Sequence, residues 1–182
     1  NLPVIERFFK TVKIPVELGG GIRNLQAVEK LLELGVERLI LAALPKEPEL
    51  VKEACTKYPG HIAVGIDAKN GDVAIEGWGE GSGVAATELA KRMADYGVET
   101  IIFTDISRDG MLSGVNSEAT AALARACGVP IIASGGVASL DDIRNVKKNE
   151  KDGVAGCIIG KAIYTGAVNL PDALKIAAAK EE

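Results

Sequence analysis

Short apolar runs alternate with helix-period stretches along this chain, and this alternation is the feature that most restricts its fold. Six runs are apolar nearly throughout, which is typical of strands buried in a parallel sheet: Ile14–Leu18, Arg38–Leu41, Ile62–Ile66, Thr100–Thr104, Pro130–Ala133 and Gly156–Ile159. Helices are predicted around them over Leu2–Lys10, Leu25–Leu34, Glu47–Lys57, Val84–Tyr96, Glu118–Cys127, Leu140–Asn149 and from Leu170 onward. The order predicts an α/β protein, either an open doubly wound sheet or a (β/α)8 barrel.

An internal repeat favours the barrel over the open sheet. Gly20-Gly21-Ile22 and Gly135-Gly136-Val137 are each followed by apolar residues at the same helical spacing, about 115 residues apart. That offset spans about four strand–helix units, as in a barrel built from two half-barrels. The second copy has four strands and the first has two, so we expect a TIM barrel of two half-barrel repeats that lacks its first two strands in this chain. Residues 1–182 would form a single domain, from the helix before the third barrel strand to the final helix.

Charge and hydropathy exclude several classes of partner. The chain has 21 basic and 25 acidic residues, a net charge of −4, so it lacks the basic surface that binds nucleic acid or anionic membranes. Its longest apolar runs, such as Gly153–Ile159, are too short to span a membrane, and the first residues do not resemble a signal segment. We therefore expect a cytoplasmic protein. One histidine and three widely spaced cysteines indicate no metal site.

The loops that follow the strands should carry the chemistry, because the C-terminal strand ends of a parallel barrel gather on one face. Gly20-Gly21 and Gly135-Gly136 each follow a strand and open a helix, so their backbone N–H groups can approach a phosphate. Ala42-Ala43 lies beside the first glycine step and Gly160-Lys161 beside the second, where Lys161 adds a positive charge. Two phosphate sites across the barrel mouth are predicted; the alternative is that the glycines only make tight turns.

Three aspartates near strand ends are the acidic candidates: Asp67, Asp105 and Asp109. Asp67 closes an apolar strand, where a carboxylate is costly to desolvate without a task or a partner. Helix capping or a salt bridge is the alternative. Strand alternation puts Thr104 and Asp105 on opposite faces, so only one of them can face the mouth. We expect Arg108 to bind a neighbouring carboxylate and not a ligand. Arg23, just past the first glycine step, could bind either a carboxylate or a ligand.

Five segments carry a resemblance that runs the length of the chain: Gly19–Arg23, Val64–Ala68, Glu76–Trp78, Thr104–Met111 and Ala133–Val137. Together they resemble the phosphoribosylformimino-5-aminoimidazole carboxamide ribotide isomerases of histidine biosynthesis. The cyclase subunit of imidazole glycerol phosphate synthase is similar too, because it shares the half-barrel repeat, the glycine steps and Asp67. Gly77-Trp78 and Thr104-Asp105-Ile106 are more similar to the isomerases.

The resemblance implies an aldose–ketose isomerase, an intramolecular oxidoreductase that rearranges an aminoaldose phosphate into an aminoketose by the Amadori reaction. An acid opens the furanose ring and a base removes the C2 proton, so no cofactor is implied. By position, Asp67 would be the general acid, Thr104 its orienting neighbour and Asp109 an assisting carboxylate. Arg23 and Trp78 would bind the substrate. Its two phosphates would contact Gly20, Gly21, Ala42, Ala43, Gly135, Gly136, Gly160 and Lys161.

The chain departs from this family in three places. The family's base, an aspartate ending the first barrel strand, is outside this chain, so the chain alone would lack it. The family's Gly-Thr is Ala42-Ala43 here, which loses a hydroxyl contact, and its arginine is Lys161, which keeps the charge without the bidentate fork. Alternatives are the cyclase subunit, which needs an ammonia-supplying partner, and a non-catalytic barrel fragment.

The expected ligand is a small molecule with a phosphate at each end, with neither nucleic acid nor membrane as a partner. A barrel without its first two strands leaves two apolar strands, Ile14–Leu18 and Gly156–Ile159, each with an unpaired edge. We therefore expect the complete protein to be monomeric and the 182-residue chain to self-associate.

Overall fold

The computed structural model describes residues 2–43, 48–75 and 80–179. The strands are β1 Glu17–Gly19, β2 Arg38–Ala42, β3 Ile62–Lys69, β4 Asp72–Ile75, β5 Glu80–Ala85, β6 Ile101–Asp105, β7 Ile131–Ser134 and β8 Val154–Cys157. The helices are α1 Leu2–Thr11, α2 Leu25–Glu33, α3 Glu49–Lys57, α4 Ala86–Asp95, α5 Ser117–Cys127, α6 Leu140–Lys147, α7 Lys161–Tyr164 and α8 Leu170–Ala178, with a 3-10 turn at Glu150–Asp152. No helix within these described ranges is long and apolar enough to cross a membrane.

Six of the strands form a parallel sheet in the order β1-β2-β3-β6-β7-β8. β4 and β5 make an antiparallel hairpin that pairs with the C-terminal end of β3. This is an α/β fold whose curled parallel sheet is consistent with the TIM-barrel type, so the barrel is favoured over the open doubly wound sheet. Among the described residues β1 pairs only with β2 and β8 only with β7, so the two end strands do not pair with each other.

The six predicted strands are all present, and all six differ from the predicted runs in their bounds, of which β1 and β8 are examples. β1 begins at Glu17 rather than Ile14, because Pro15 has no amide hydrogen to donate to the ladder with β2. β8 ends at Cys157 rather than Ile159, since the chain then turns into the short helix α7. The β4–β5 hairpin and α7 were not predicted, and residues 84–85, expected to start a helix, end β5 instead.

The hydrophobic core lies between the sheet and its covering helices. Val64, Ile66 and Ala68 of β3 belong to it, as do Ile101 and Phe103 of β6, and all are at least 95% buried. Each such aliphatic or aromatic side chain contributes about 1.5–3 kcal/mol when fully buried. Successive strand residues point to opposite faces of the sheet, so the residues that alternate with these five face away from the helices. In a barrel that face would be the inside, and we call it the inner face. That inner face is where the candidate site lies.

Candidate functional site

Three polar residues lie in one row across the C-terminal ends of neighbouring strands. Asp67 of β3 is in register with Thr104 of β6, and Thr104 is in register with Ser134 of β7. Residues paired in this way project from the same face of a sheet. Each follows a residue of the helix-side core: Ile66, Phe103 and Ala133. The row therefore lies on the inner face. Asp67 and Thr104 were candidates from the sequence, whereas Ser134 was not singled out as one.

The choice between Thr104 and Asp105 is decided by the same register. Asp105 pairs with Ala68, a core residue, so its carboxylate lies on the helix side and Thr104 lies on the inner face. Asp105 is 7% exposed and belongs to the few buried charged or polar residues of the described chain. It is therefore separated by the sheet itself from the row that contains Asp67.

The Asp105 carboxylate is held by hydrogen bonds on both of its oxygens. Oδ1 accepts from the Ser107 backbone N–H at 3.1 Å and from the Ser107 hydroxyl at 2.6 Å. Oδ2 accepts from the Asn116 side-chain amide at 2.7 Å. Burial raises the pKa of Asp105, but the bonds from Ser107 and Asn116, with the nearby Arg108, outweigh burial and hold the pKa below its usual value. Asp105 is thus a buried carboxylate that stays charged.

Arg108 contacts a neighbouring carboxylate, as the sequence favoured. Its Nε lies 3.6 Å from Asp105 Oδ2, and its Nη1 donates to the Gly114 carbonyl at 3.1 Å. Asn116, at the other end of the same loop, also begins helix α5, because its Oδ1 accepts from the Ala119 N–H at 3.2 Å. Arg108 and Asn116, which lie near the two ends of the loop between β6 and α5, therefore hold this loop through their contacts with Asp105.

The second glycine step, Gly135-Gly136, packs directly against this loop. The φ angles of Gly135 and Gly136 are +92° and +87°, a region that side chains with a Cβ rarely adopt. A Cβ at Gly135 would lie 2.8 Å from the Asp105 carbonyl oxygen, and one at Gly136 would lie 2.5 Å from the Gly114 carbonyl oxygen. The Gly114 N–H also donates to the Gly136 carbonyl at 2.9 Å. Both positions thus require glycine for conformation and for space.

A small cavity of about 90 Å³ lies at this step, and Asp105 is not among the residues that line it. Its lining includes Asp109, Gly110, Ser134, Gly135, Gly136, Gly160 and Lys161. Lys161 does not extend freely, because its Nζ donates to the Gly110 carbonyl at 2.9 Å. An ammonium has three donors, so this bond leaves capacity for an anion. The structure thus brings together Asp109 and the residues predicted for the second phosphate site.

The first glycine step is more open than the second. Gly20 and Gly21 also have positive φ angles, but a Cβ at either would meet nothing within 4 Å. Arg23 is exposed beside them, next to the residue that caps α2. The Ala43 N–H is already donated to the Gly65 carbonyl at 3.0 Å, so this amide continues the sheet and is not directed at an anion.

Trp78, predicted to stack on the substrate, lies outside the described residues. The hairpin of β4 and β5 that flanks it grows from the strand end that carries Asp67. Sequence reasoning missed this hairpin, and it missed Asn116 and Ser134. For Ser134 a signal was present, since it precedes Gly135 at the same point of the strand where Thr104 stands on β6.

A larger cavity than the one at Gly135-Gly136, about 550 Å³, lies elsewhere in the described chain. It lies between β8 and helices α6, α7 and α8, and its lining is mainly apolar, including Ile143, Val154, Ile163 and Leu174. None of the candidate aspartates lines it. Its chemistry therefore does not match a polar, doubly phosphorylated substrate.

Comparison with known protein families gives a match over residues 1–169, to the family described as histidine biosynthesis protein. The chain belongs to that family. The match covers the row of Asp67, Thr104 and Ser134 and both glycine steps, so the geometry above is that of a family member. The resemblance to histidine biosynthesis proteins expected from the sequence motifs is confirmed.

Two relatives are identical to this chain at more than half of the aligned residues. A protein of Geobacter sulfurreducens is 55% identical over 177 residues, which are 97% of this chain and 72% of the relative. One of Desulforamulus reducens is 56% identical over 182 residues, all of this chain and 74% of the relative. Each is named 1-(5-phosphoribosyl)-5-((5-phosphoribosylamino)methylideneamino)imidazole-4-carboxamide isomerase. The names favour the isomerase over the cyclase alternative.

Proposed function

We propose that this protein is the aldose–ketose isomerase of histidine biosynthesis that its relatives are named for, acting by an Amadori rearrangement in the cytoplasm. The observation that carries this proposal is the row on the inner face, in which Asp67 and Thr104 stand side by side and Ser134 leads into the Gly135-Gly136 step. This row supports the proposal because Asp67, the proposed acid, and the glycine step, the proposed anion site, lie in the same strand-end layer, as an acid-catalysed reaction of a sugar phosphate requires.

Asp67 would protonate the ring oxygen of the furanose, so that the C1–O bond breaks and a Schiff base forms. A base would then remove the C2 proton, and the enolamine that results would tautomerise to the ketose. Thr104, adjacent in register, would orient the substrate hydroxyls beside Asp67. Asp109 lines the cavity at the glycine step, where it would assist by contacting the substrate.

One phosphate of the substrate would bind in the cavity at Gly135-Gly136, with Gly160 and the Lys161 ammonium as further contacts. The other would bind at Gly20-Gly21, beside Arg23. The relatives' name supports two such sites, because it contains two phosphoribosyl groups. At a glycine step the backbone N–H groups can approach a phosphate closely, so they can bind it without a charged side chain.

The base would come from a strand that precedes these 182 residues. Support comes from the internal repeat and from the relatives, which extend beyond the aligned part by more than a quarter of their length. Apolar side chains are also exposed beside both end strands, with Ile14 74% exposed near β1 and Leu174 59% exposed near β8. We propose that the additional strands cover these faces, and that without them the chain self-associates and lacks turnover.

Two measurements test the proposal. The protein extended to the length of its relatives should convert the purified aminoaldose to the aminoketose with no added ammonia and no glutaminase partner; turnover that depends on ammonia would instead establish the cyclase. The 182-residue chain, in sedimentation beside the extended protein, should form oligomers and be inactive. A fully active monomer of 182 residues would show that the barrel is not incomplete.

A further inference from the structure

We propose that Asp105 is a positioning residue, which shapes the phosphate cavity at Gly135-Gly136 through the loop between β6 and α5. Its carboxylate lies on the helix side of the sheet and does not line the cavity, so it acts through other residues. Where turnover is used as a readout, the inference rests on the proposed function. The binding of an anion at the cavity tests it separately.

Asp105 joins the two ends of the loop. Ser107, at its start, donates both its N–H and its hydroxyl to Oδ1, and Asn116, at its end, donates to Oδ2. A carboxylate that is 7% exposed has little water to replace these partners. Loss of the carboxylate therefore removes the acceptor that the two loop ends share and leaves the loop ends unconnected.

The same loop is joined to the Gly135-Gly136 step. Gly114 lies in the loop, and its N–H donates to the Gly136 carbonyl at 2.9 Å. Arg108 holds the Gly114 carbonyl at 3.1 Å, with its Nε 3.6 Å from Asp105. The Asp105 carbonyl in turn borders the space that a Cβ at Gly135 would fill. A shift of the loop must therefore shift the backbone that lines the cavity.

The loop also supplies part of the cavity wall. Asp109 and Gly110 line it, and the Gly110 carbonyl holds the Lys161 ammonium at 2.9 Å. Three successive strand–helix loops, after β6, β7 and β8, thus meet at one anion site. Asp105 is the buried charge that holds the loop after β6 in place through its hydrogen bonds to Ser107 and Asn116.

The substitution Asp105→Asn tests this role with little change in volume. Asn at this position can still accept from Ser107 through its side-chain oxygen. Its NH2 group would face the NH2 group of Asn116, so two donors would meet where Asn116 now donates to Asp105 Oδ2. Rotating the Asn116 side chain would satisfy this pair but remove the acceptor that caps α5 at Ala119. The double variant Asp105→Asn/Asn116→Asp restores a donor–acceptor pair, with the carboxylate now on residue 116, and still leaves an oxygen for the cap.

Binding of inorganic phosphate, followed by amide NMR shifts of Gly136 and Gly160, is the main readout. We expect Asp105→Asn to weaken phosphate binding about tenfold, or about 1.4 kcal/mol, because a shift of the loop lengthens the hydrogen bonds that the cavity makes to the anion, and a hydrogen bond to a charged group contributes at least that much. The double variant should recover most of the affinity. Asp141→Asn, which alters an exposed ion pair with Arg144, is the matched control and should bind as the parent does.

Steady-state kinetics of the extended protein separate positioning from a merely structural role. A loss of folded protein alone lowers the apparent kcat and leaves KM unchanged, whereas a misplaced phosphate site raises KM. We expect Asp105→Asn to raise KM and the double variant to restore it. Unchanged phosphate affinity and KM in Asp105→Asn, or no recovery in the double variant, would overturn the inference.

A second variant covers the case in which Asp105→Asn does not fold. Ser107→Ala removes one hydroxyl donor and keeps the backbone bond, so it should fold and bind phosphate several-fold more weakly. Wild-type phosphate affinity in Ser107→Ala would then overturn the inference. Failure of the proposed function has a different signature: the parent protein would bind phosphate normally and not convert the aminoaldose.

Discussion

Gly136 lies so close to Gly114 that a methyl group at Gly136 would stand 2.5 Å from the Gly114 carbonyl oxygen and 2.9 Å from Arg108 Cβ. The neighbours are backbone and the root of a side chain, so neither can rotate away. The close approach connects the loop after β6 to the loop after β7, and residues of both loops line the cavity at Gly135-Gly136.

We predict that Gly136→Ala destabilises the protein by about 3 kcal/mol or more, from about 1–2 kcal/mol of left-handed backbone strain and a comparable cost of overpacking. Gly128→Ala is the matched control, because Gly128 also has a positive φ of +72° but a Cβ there meets nothing within 4 Å. It should cost only the strain. Urea unfolding of both variants measures the difference, and equal costs would mean that the close contact with Gly114 relaxes freely.

Asp105 gives stability that depends on pH. The pKa of Asp105 is below its usual value in the folded protein. Burial raises this pKa, but the hydrogen bonds from Ser107 and Asn116 lower it by a larger amount. The unfolded chain, with a pKa of about 3.9, therefore binds the proton more readily than the folded protein does. The contribution of Asp105 is present above pH ~4 and is lost as the pH falls through the lower folded value.

Comparison of Asp105→Asn with the parent isolates this contribution from that of other carboxylates. We predict that the parent is the more stable protein at pH 7 and that the difference in melting temperature narrows as the pH is lowered from about 5 to 2. Asp141→Asn, an exposed position, should track the parent throughout. A difference that is constant with pH would mean that the charge of Asp105 does not contribute.

The strand and helix order could be predicted because short, continuously apolar runs and period-3.6 apolar patterns are local properties of the sequence. Alternation alone showed that Thr104 and Asp105 face opposite ways, but not which of them faces inward. That choice depends on which side the helices cover, and so on where Ala68 and Phe103 pack. Arg108 could be assigned to a neighbouring carboxylate because carboxylates flank it in the sequence, but only the structure shows that its partner is Asp105.

Contacts between distant polar groups left no such local signal. Lys161 donates to a carbonyl 51 residues earlier in the chain, and any residue could have supplied that carbonyl. The β4–β5 hairpin depends on pairing with β3, so its short strands could not be told from a loop. The Ala43 amide, expected near a phosphate, is bound to Gly65 because β2 and β3 remain paired to that point.

The role proposed for Asp67 predicts a specific kinetic defect. In the protein extended to full length, Asp67→Asn removes the proton donor and keeps the shape of the side chain, so turnover should fall by ~10²–10⁴-fold. KM should change little, because the phosphates supply the binding. The measurement is steady-state turnover of the aminoaldose, with Asp141→Asn as the control. Turnover within twofold of the parent would rule out Asp67 as the acid.

Lys161 should contribute charge to phosphate binding, although less than a buried group would. Its side chain is exposed, and exposed ion pairs contribute about 0.2–1 kcal/mol, so Lys161→Met should weaken binding of inorganic phosphate by about two- to fivefold at low salt. The effect should fade as ionic strength rises, because an exposed charge is screened. Lys175→Met, at a 78% exposed side chain that pairs with Asp172, is the matched control and should change nothing. Calorimetric titration at low and high salt measures both variants. Phosphate affinity that is independent of Lys161 at low salt would mean that the backbone N–H groups of the glycine step bind the anion without it.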